Sequence, residues 1–263
     1  MTHTDFTGPE GVRTRGTLVL VPGRGETRAT YARLGARLSA DAYHVRVVDL
    51  PDLTAQTAAP PHLIPPHLDG PQTVPSALDE LAATLASAVS LPRPLVLAGA
   101  DAGAAAVAAV IAGGNGAAPW WPDAVVLAGL PGHAAAVTGD WDSELAVRTA
   151  CAVHRGVLAD DVAVERGTLG TPLPDTLLAA AYGLTTDLPL LVLVGDADPL
   201  ADREALARTV KSLPAARLSV VRGAHHDVLN DRQHRSVAAE IVSFLETVGN
   251  ELVPVITVES SAW

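Results

Sequence analysis

The chain has 263 residues, 48% of them hydrophobic, and its 29 acidic and 18 basic side chains leave a net charge of −11. That supplies apolar material for one large core, and the dispersed negative charge argues against nucleic acid or an anionic membrane as the main partner. One cysteine, Cys151, excludes an intrachain disulfide and a cysteine-rich metal site; with no leader-like N-terminus and no membrane-length apolar run, a cytoplasmic protein acting on a small molecule is expected, a homodimer being left open.

Short β-branched runs alternate with longer stretches of helical spacing. Strands are expected at Thr17–Val21, Val45–Val48, Leu95–Ala98, Ala124–Ala128, Leu190–Val194 and Leu218–Val221. Helices are expected at Ala29–Ala40, Ala77–Ser90, Ala102–Ala112, Ala201–Leu213 and Ser236–Val248. The strands are continuously apolar, as in a parallel sheet covered on both faces, so the fold class is α/β with a doubly wound, mostly parallel sheet.

Two stretches break the alternation. Residues 51–75 carry seven prolines and read as a long stiff loop. Residues 131–188 hold two expected helices, near Glu144–Leu158 and Asp175–Tyr182. That insertion is too short to bury a core of its own, so it reads as a small lid within a single domain spanning 1–263. The tail Leu252–Glu259 reads as a late strand or an extended arm that pairs with an edge or a neighbour.

The most informative segment is Leu95-Val-Leu-Ala-Gly-Ala-Asp-Ala-Gly-Ala104, an apolar strand running through Gly99-x-Asp101-x-Gly103 into an Ala-rich helix. A strained strand-to-helix turn needs glycine two positions either side of its central residue, because side chains there would meet backbone. The central carboxylate then stands at a helix N-terminus, where the dipole favours its ionised form. Taken alone, the segment fits an ordinary Asp-capped helix equally well.

Two downstream segments favour the elbow. Leu191-Val-Leu-Val-Gly-Asp-Ala-Asp-Pro-Leu200 follows a strand, and Val221-Arg-Gly-Ala-His-His-Asp-Val-Leu-Asn230 follows the last one. The order nucleophile, acid, histidine resembles the α/β-hydrolase superfamily across roughly residues 16–248. The resemblance implies Asp198 as the acid, with Asp196 as fallback, and His226 as the histidine, leaving His225 to pack or face solvent. Leu18-Val-Leu-Val-Pro-Gly-Arg-Gly-Glu26 resembles the family's oxyanion strand, with Pro22 replacing a histidine. It implies an oxyanion hole from the N–H groups of Arg24 and Ala102, with Gly25 beside them. The Arg24 side chain is read as either a cation near the site or a surface residue.

An aspartate nucleophile suits attack on sp³ carbon, because a carboxylate attacking an ester would form a mixed anhydride. An alkyl-enzyme ester would form on Asp101, and His226, oriented by Asp198, would activate water to cleave it. The Asp-nucleophile branch of the superfamily, epoxide hydrolases and haloalkane dehalogenases, works this way. This chain departs from that branch by having one lid tyrosine, Tyr182, instead of two, and Ala102 where dehalogenases place tryptophan. Trp141 is a candidate halide contact. The chain looks closer to small lysophospholipase-like members with an Asp-substituted elbow. Two other classes stay open: a cofactor-free lyase, isomerase or cyclase using Asp101 and His226 for proton transfer, and a binding protein on the same fold.

No cofactor or metal is expected. His62 and His67 lack spaced ligand partners, and no G-x-G-x-x-G run follows the first strand. Arg148, Cys151 and His154, three residues apart, are expected to share one face of a lid helix.

Overall fold

The computed structural model describes residues 3–53, 73–114 and 116–260. Seven strands form one sheet in the order β1-β3-β2-β4-β5-β6-β7: β1 His3–Phe6, β2 Gly16–Val21, β3 Tyr43–Val48, β4 Leu95–Ala100, β5 Ala124–Ala128, β6 Leu190–Gly195 and β7 Ala216–Val221. All neighbours are parallel except β1, which pairs antiparallel with β3. The six expected strands are therefore present, and β1 is an addition. Its sequence, HTDF, is too short and polar to show a strand pattern. It is held by Arg46, which donates to both Asp5 carboxylate oxygens at 2.8 Å, and by the Phe6 ring against Gly35.

Successive residues of each central strand enter opposite cores, the period of two that a pleated strand imposes. Val19, Val21, Leu95 and Leu97 join one core with helices α2 Val74–Ala86, α3 Ala102–Gly113, α6 Asp175–Tyr182 and α7 Arg203–Ser212. Leu18, Leu20, Val96 and Ala98 join the other with α1 Ala32–Ala40 and α8 His234–Gly249. Helix α3 is buried from Ala102 to Ile111, and its small alanines let it lie close under the sheet.

The segment between β5 and β6 contains α4 Trp141–Arg148 and α5 Ala152–Asp160 before α6. The single helix expected over Glu144–Leu158 is thus two. Thr149 is extended, and Asp231 explains why: its Oδ1 accepts from the Thr149 hydroxyl at 2.8 Å and from the Ala150 N–H at 3.0 Å, holding the chain open between the helices. Arg148 and His154 consequently sit on different helices with Cys151 at the joint, instead of on one face.

Helix α2 begins at Val74 with Pro75 in its first turn, so the Pro-rich loop ends sooner than expected. Most of that loop, with His62 and His67, lies outside the described residues. Residues 250–260 are exposed and form no strand. No described helix is long and apolar enough to cross a membrane.

Candidate active site

Strand order reverses where β2 lies between β3 and β4, and the carboxyl ends of β2 and β4 stand side by side, with Val21 opposite Gly99. Ligands of open α/β sheets bind at such switch points. The β2 end leads to Arg24, and the β4 end to Asp101.

Asp101 has φ 47° and ψ −115°, a conformation that costs a side-chain-bearing residue about 1–3 kcal/mol. The flanking glycines permit it. A Cβ on Gly99 would lie 2.3 Å from the Gly103 carbonyl oxygen, and one on Gly103 would lie 2.3 Å from that of Pro22. Asp101 occupies the N-cap position of α3, yet its side chain caps nothing. The carboxylate is buried and turned to other partners, which separates this turn from an ordinary Asp cap.

Those partners come from two other loops, and a third loop supplies the acid behind the histidine. His226 Nε2 lies 3.1 Å from Asp101 Oδ1, and His226 Nδ1 lies 2.9 Å from Asp198 Oδ2. Asp198 Oδ1 also accepts from the Leu200 N–H at 2.9 Å, fixing the carboxylate. Asp196 is elsewhere, accepting from the Gly223 N–H, and His225 pairs with Asp231. Asp101, His226 and Asp198 are therefore brought together in the order read from the sequence.

Arg24 is the feature with the largest effect. It is 4% exposed, so its guanidinium belongs to the interior. Nε donates to Asp101 Oδ2 at 2.8 Å and Nη2 to Oδ1 at 2.7 Å, while the Arg24 backbone N–H also donates to Oδ2 at 2.9 Å. Nη1 donates to the Thr171 carbonyl in the segment between β5 and β6. The expected oxyanion-hole N–H thus meets a carboxylate oxygen. Gly25, with φ 71°, lets that segment dock closely: the Glu165 N–H donates to its carbonyl at 2.9 Å, and a Cβ there would clash with the Glu165 carbonyl. Ala102 is fully buried.

Burial alone would raise the Asp101 carboxyl, but the charge and hydrogen bonds of Arg24, then those of His226, hold it well below the usual carboxylate range. Burial would lower His226, but the Asp198 charge and hydrogen bonds to Asp101 and Asp198 push it up to about 10. Asp101 is therefore favoured as a carboxylate, and His226 as the protonated ring.

Neither Trp141 nor Tyr182 hydrogen-bonds to this network. Trp141 packs with Leu145, Leu158 and Val164, beneath the guanidinium of Arg166. The Tyr182 hydroxyl donates to the Pro131 carbonyl at 3.1 Å.

A second polar cluster lies alongside, and sequence reasoning missed it. Glu26 Oε2 accepts from the Gly23 N–H at 3.0 Å and from the Tyr31 hydroxyl. Fully buried Arg148 donates to Glu144 and to the Arg24 carbonyl, and its Nη1 lies 3.6 Å from Asp227, which also pairs with His154 at 2.8 Å. Among the described residues, Glu26, His154 and Asp227 alone approach metal-like spacing. Arg148 and the His154–Asp227 hydrogen bond already supply positive charge and a donor there, so the donor set reads as an ion-pair cluster. The helical spacing of Arg148 and His154, and that of Glu144 and Arg148, were its visible signals; the convergence with Glu26 and Asp227 had none.

Two spaces border these groups. An open groove of about 800 Å³ is lined by Arg24, Glu26, Arg28, Asp52, Glu165 and Arg166 among others, and its charged walls suit a polar ligand. A small, partly enclosed pocket of about 10 Å³, just large enough for one water, is bordered by Asp101, His226, Glu26, Tyr31 and Asp227.

The model of the alpha/beta hydrolase family matches residues 18–240. The chain belongs to that family. The solved structures that resemble this hydrolase-fold chain include a monoacylglycerol lipase from Paleococcus ferrophilus, 19% identical with TM-score 0.67 over 94% of this chain and 98% of that one. A soluble variant of monoglyceride lipase from Saccharomyces cerevisiae is 15% identical, with TM-score 0.67 over 94% and 91%. The enol-lactonase from Burkholderia xenovorans is 18% identical, with TM-score 0.60 over 93% and 96%. At these identities the likeness is one of fold. No curated protein matches the chain.

Proposed function

We propose that this α/β-hydrolase-family protein hydrolyses a small polar molecule through an alkyl ester on Asp101. The observation that carries the reading is the elbow conformation of Asp101, whose carboxylate caps no helix and lies 3.1 Å from His226. Oδ1 attacks an sp³ carbon and displaces an epoxide oxygen or a halide. Arg24 holds Oδ2 in place, and the release of its Nη2 from Oδ1 precedes attack.

The imidazolium state of His226 alters the expected division of labour. With its value raised to about 10 by the Asp198 charge and its hydrogen bonds to Asp101 and Asp198, the ring begins as an acid and not as the base for water. Alkylation removes the Asp101 charge and weakens the hold on that proton. An epoxide oxygen then takes it, and the neutral ring can activate water to cleave the ester. The oxyanion formed at the Asp101 carbonyl meets the Arg24 N–H, while Asp198 keeps the ring oriented.

One observation favours a second reading. Both Asp101 oxygens are already paired with Arg24, as suits a permanent counter-ion. In that case His226 serves as the general acid of a cofactor-free lyase or isomerase. Turnover of 4-nitrostyrene oxide and 2-bromoethanol in heavy-oxygen water, followed by mass analysis of the Asp101 peptide, separates the two. Heavy oxygen in that peptide is the expected result, and product formation without it overturns the ester. Asp101→Asn should abolish turnover, and Asp101→Ser should not create an esterase.

A further inference from the structure

Glu26 borders both the open groove and the small pocket shared with Asp101 and His226, and among the described residues it alone is common to the two linings. Its Oε2 is occupied by Gly23 and Tyr31, whereas Oε1 is buried with no hydrogen-bond partner. A buried carboxylate oxygen left unpaired is costly unless something meets it in the working state. The adjoining pocket has room for one water. We propose that this pocket seats the water that cleaves the Asp101 ester and that Glu26 is the catalytic base taking its proton and passing it to the groove.

The proposal deepens the ester reading, and its water step rests on it. A leaving halide takes no proton, so His226 stays charged after alkylation and the water needs another base. The water oxygen bonds to the Asp101 Cγ as its proton moves to Glu26 Oε1. The tetrahedral intermediate collapses with cleavage of the bond from Cγ to the alkyl oxygen. His226 protonates the departing alkoxide and recovers a proton from the newly formed Asp101 carboxyl. Glu26 then releases its proton through the groove, so alkyl halide and water yield alcohol, halide and one proton.

The surroundings suit that work. Burial and the Asp227 charge raise the Glu26 carboxyl to about 7, against the lowering effect of Arg148, His154 and the Tyr31 hydroxyl. Asp101 and His226 face it across the pocket. A base that titrates near neutrality can both accept and release a proton at working pH.

The test joins a titration to single-turnover chemistry. In protein labelled with ¹³C at glutamate carboxyls, one signal should titrate near pH 7, vanish in Glu26→Gln and move to higher pH in Tyr31→Phe, which removes a stabilising donor. With 2-bromoethanol, Glu26→Gln should form the Asp101 adduct within about twofold of the wild-type rate but hydrolyse it about 100-fold more slowly. With 4-nitrostyrene oxide, where His226 is freed as a base, hydrolysis should slow much less. A midpoint in the ordinary glutamate range overturns the proposal, as does equal slowing of both probes or of formation and hydrolysis alike. If no adduct forms with either probe in any variant, the ester reading fails and the water step falls with it; an adduct that forms normally but hydrolyses at the wild-type rate in Glu26→Gln overturns the role of Glu26 alone.

Discussion

The guanidinium of Arg24 closes on both carboxylate oxygens of Asp101, through Nε to Oδ2 at 2.8 Å and Nη2 to Oδ1 at 2.7 Å, with both side chains buried. Breaking such a pair from one side leaves a buried charge short of compensation, which typically costs about 3–5 kcal/mol. Arg24→Met should therefore lower the unfolding free energy measured by urea titration by an amount in that range, even though the replacement fills similar space. In the double variant with Asp101→Asn, the loss should fall well short of the sum of the single losses, because each substitution removes the reason for the other's cost. Strict additivity would mean that the pair is not coupled in solution.

Much of this arrangement could be read from residue spacing, and the remainder could not for identifiable reasons. The glycines at 99 and 103, the acid at 198 and the histidine at 226 are local signals, each tied to a turn at a strand end. The side-chain position of Arg24 depends on Thr171, 147 residues away, and on the docking of the segment that carries it. No local pattern encodes that approach. The same holds for Asp231, whose bonds to Thr149 and Ala150 divide an expected helix in two. Glu26 and Asp227 each adjoin a motif that was recognised, yet their convergence depends on Tyr31, Arg148 and His154 from three other elements. Strand β1 was hidden by its brevity.

The two carboxylates flanking His226 make an asymmetric pH profile of stability. Its folded value is raised from 6.5 to about 10, so the folded protein holds that proton more tightly than the unfolded chain. The contribution is complete below about pH 6.5 and is lost as pH rises through about 10. Asp101 works oppositely: held well below 3.8, it contributes above that value and loses its contribution as pH falls through its folded value. Thermal melts should show wild type declining between pH 7 and 10. Asp198→Asn, which removes the charge that most raises the ring, should flatten that alkaline decline. An unchanged slope would show that Asp198 does not hold the imidazolium proton.

Glycine substitutions give a sharper test of the elbow because their expected signs differ. At Gly103 an added Cβ would stand 2.3 Å from the carbonyl oxygens of both Pro22 and Val21, which are backbone and cannot rotate away. Gly103→Ala must therefore push α3 from the end of β2, a strain of the kind that costs about 1–3 kcal/mol in a packed core. The displacement also separates Asp101, on the α3 side, from Arg24, on the β2 side, so the ion pair should loosen and the loss should sit at or above the top of that range. At Gly156, inside α5, nothing lies within 4 Å of an added Cβ, and no positive φ is required. Alanine there removes a helix-breaking residue without a clash and should stabilise by about 0.5–1 kcal/mol. Urea denaturation of the two variants should move the midpoint in opposite directions. A Gly103→Ala protein as stable as wild type would mean that α3 does not pack against the end of β2 closely enough to aim Asp101 at Arg24 and His226.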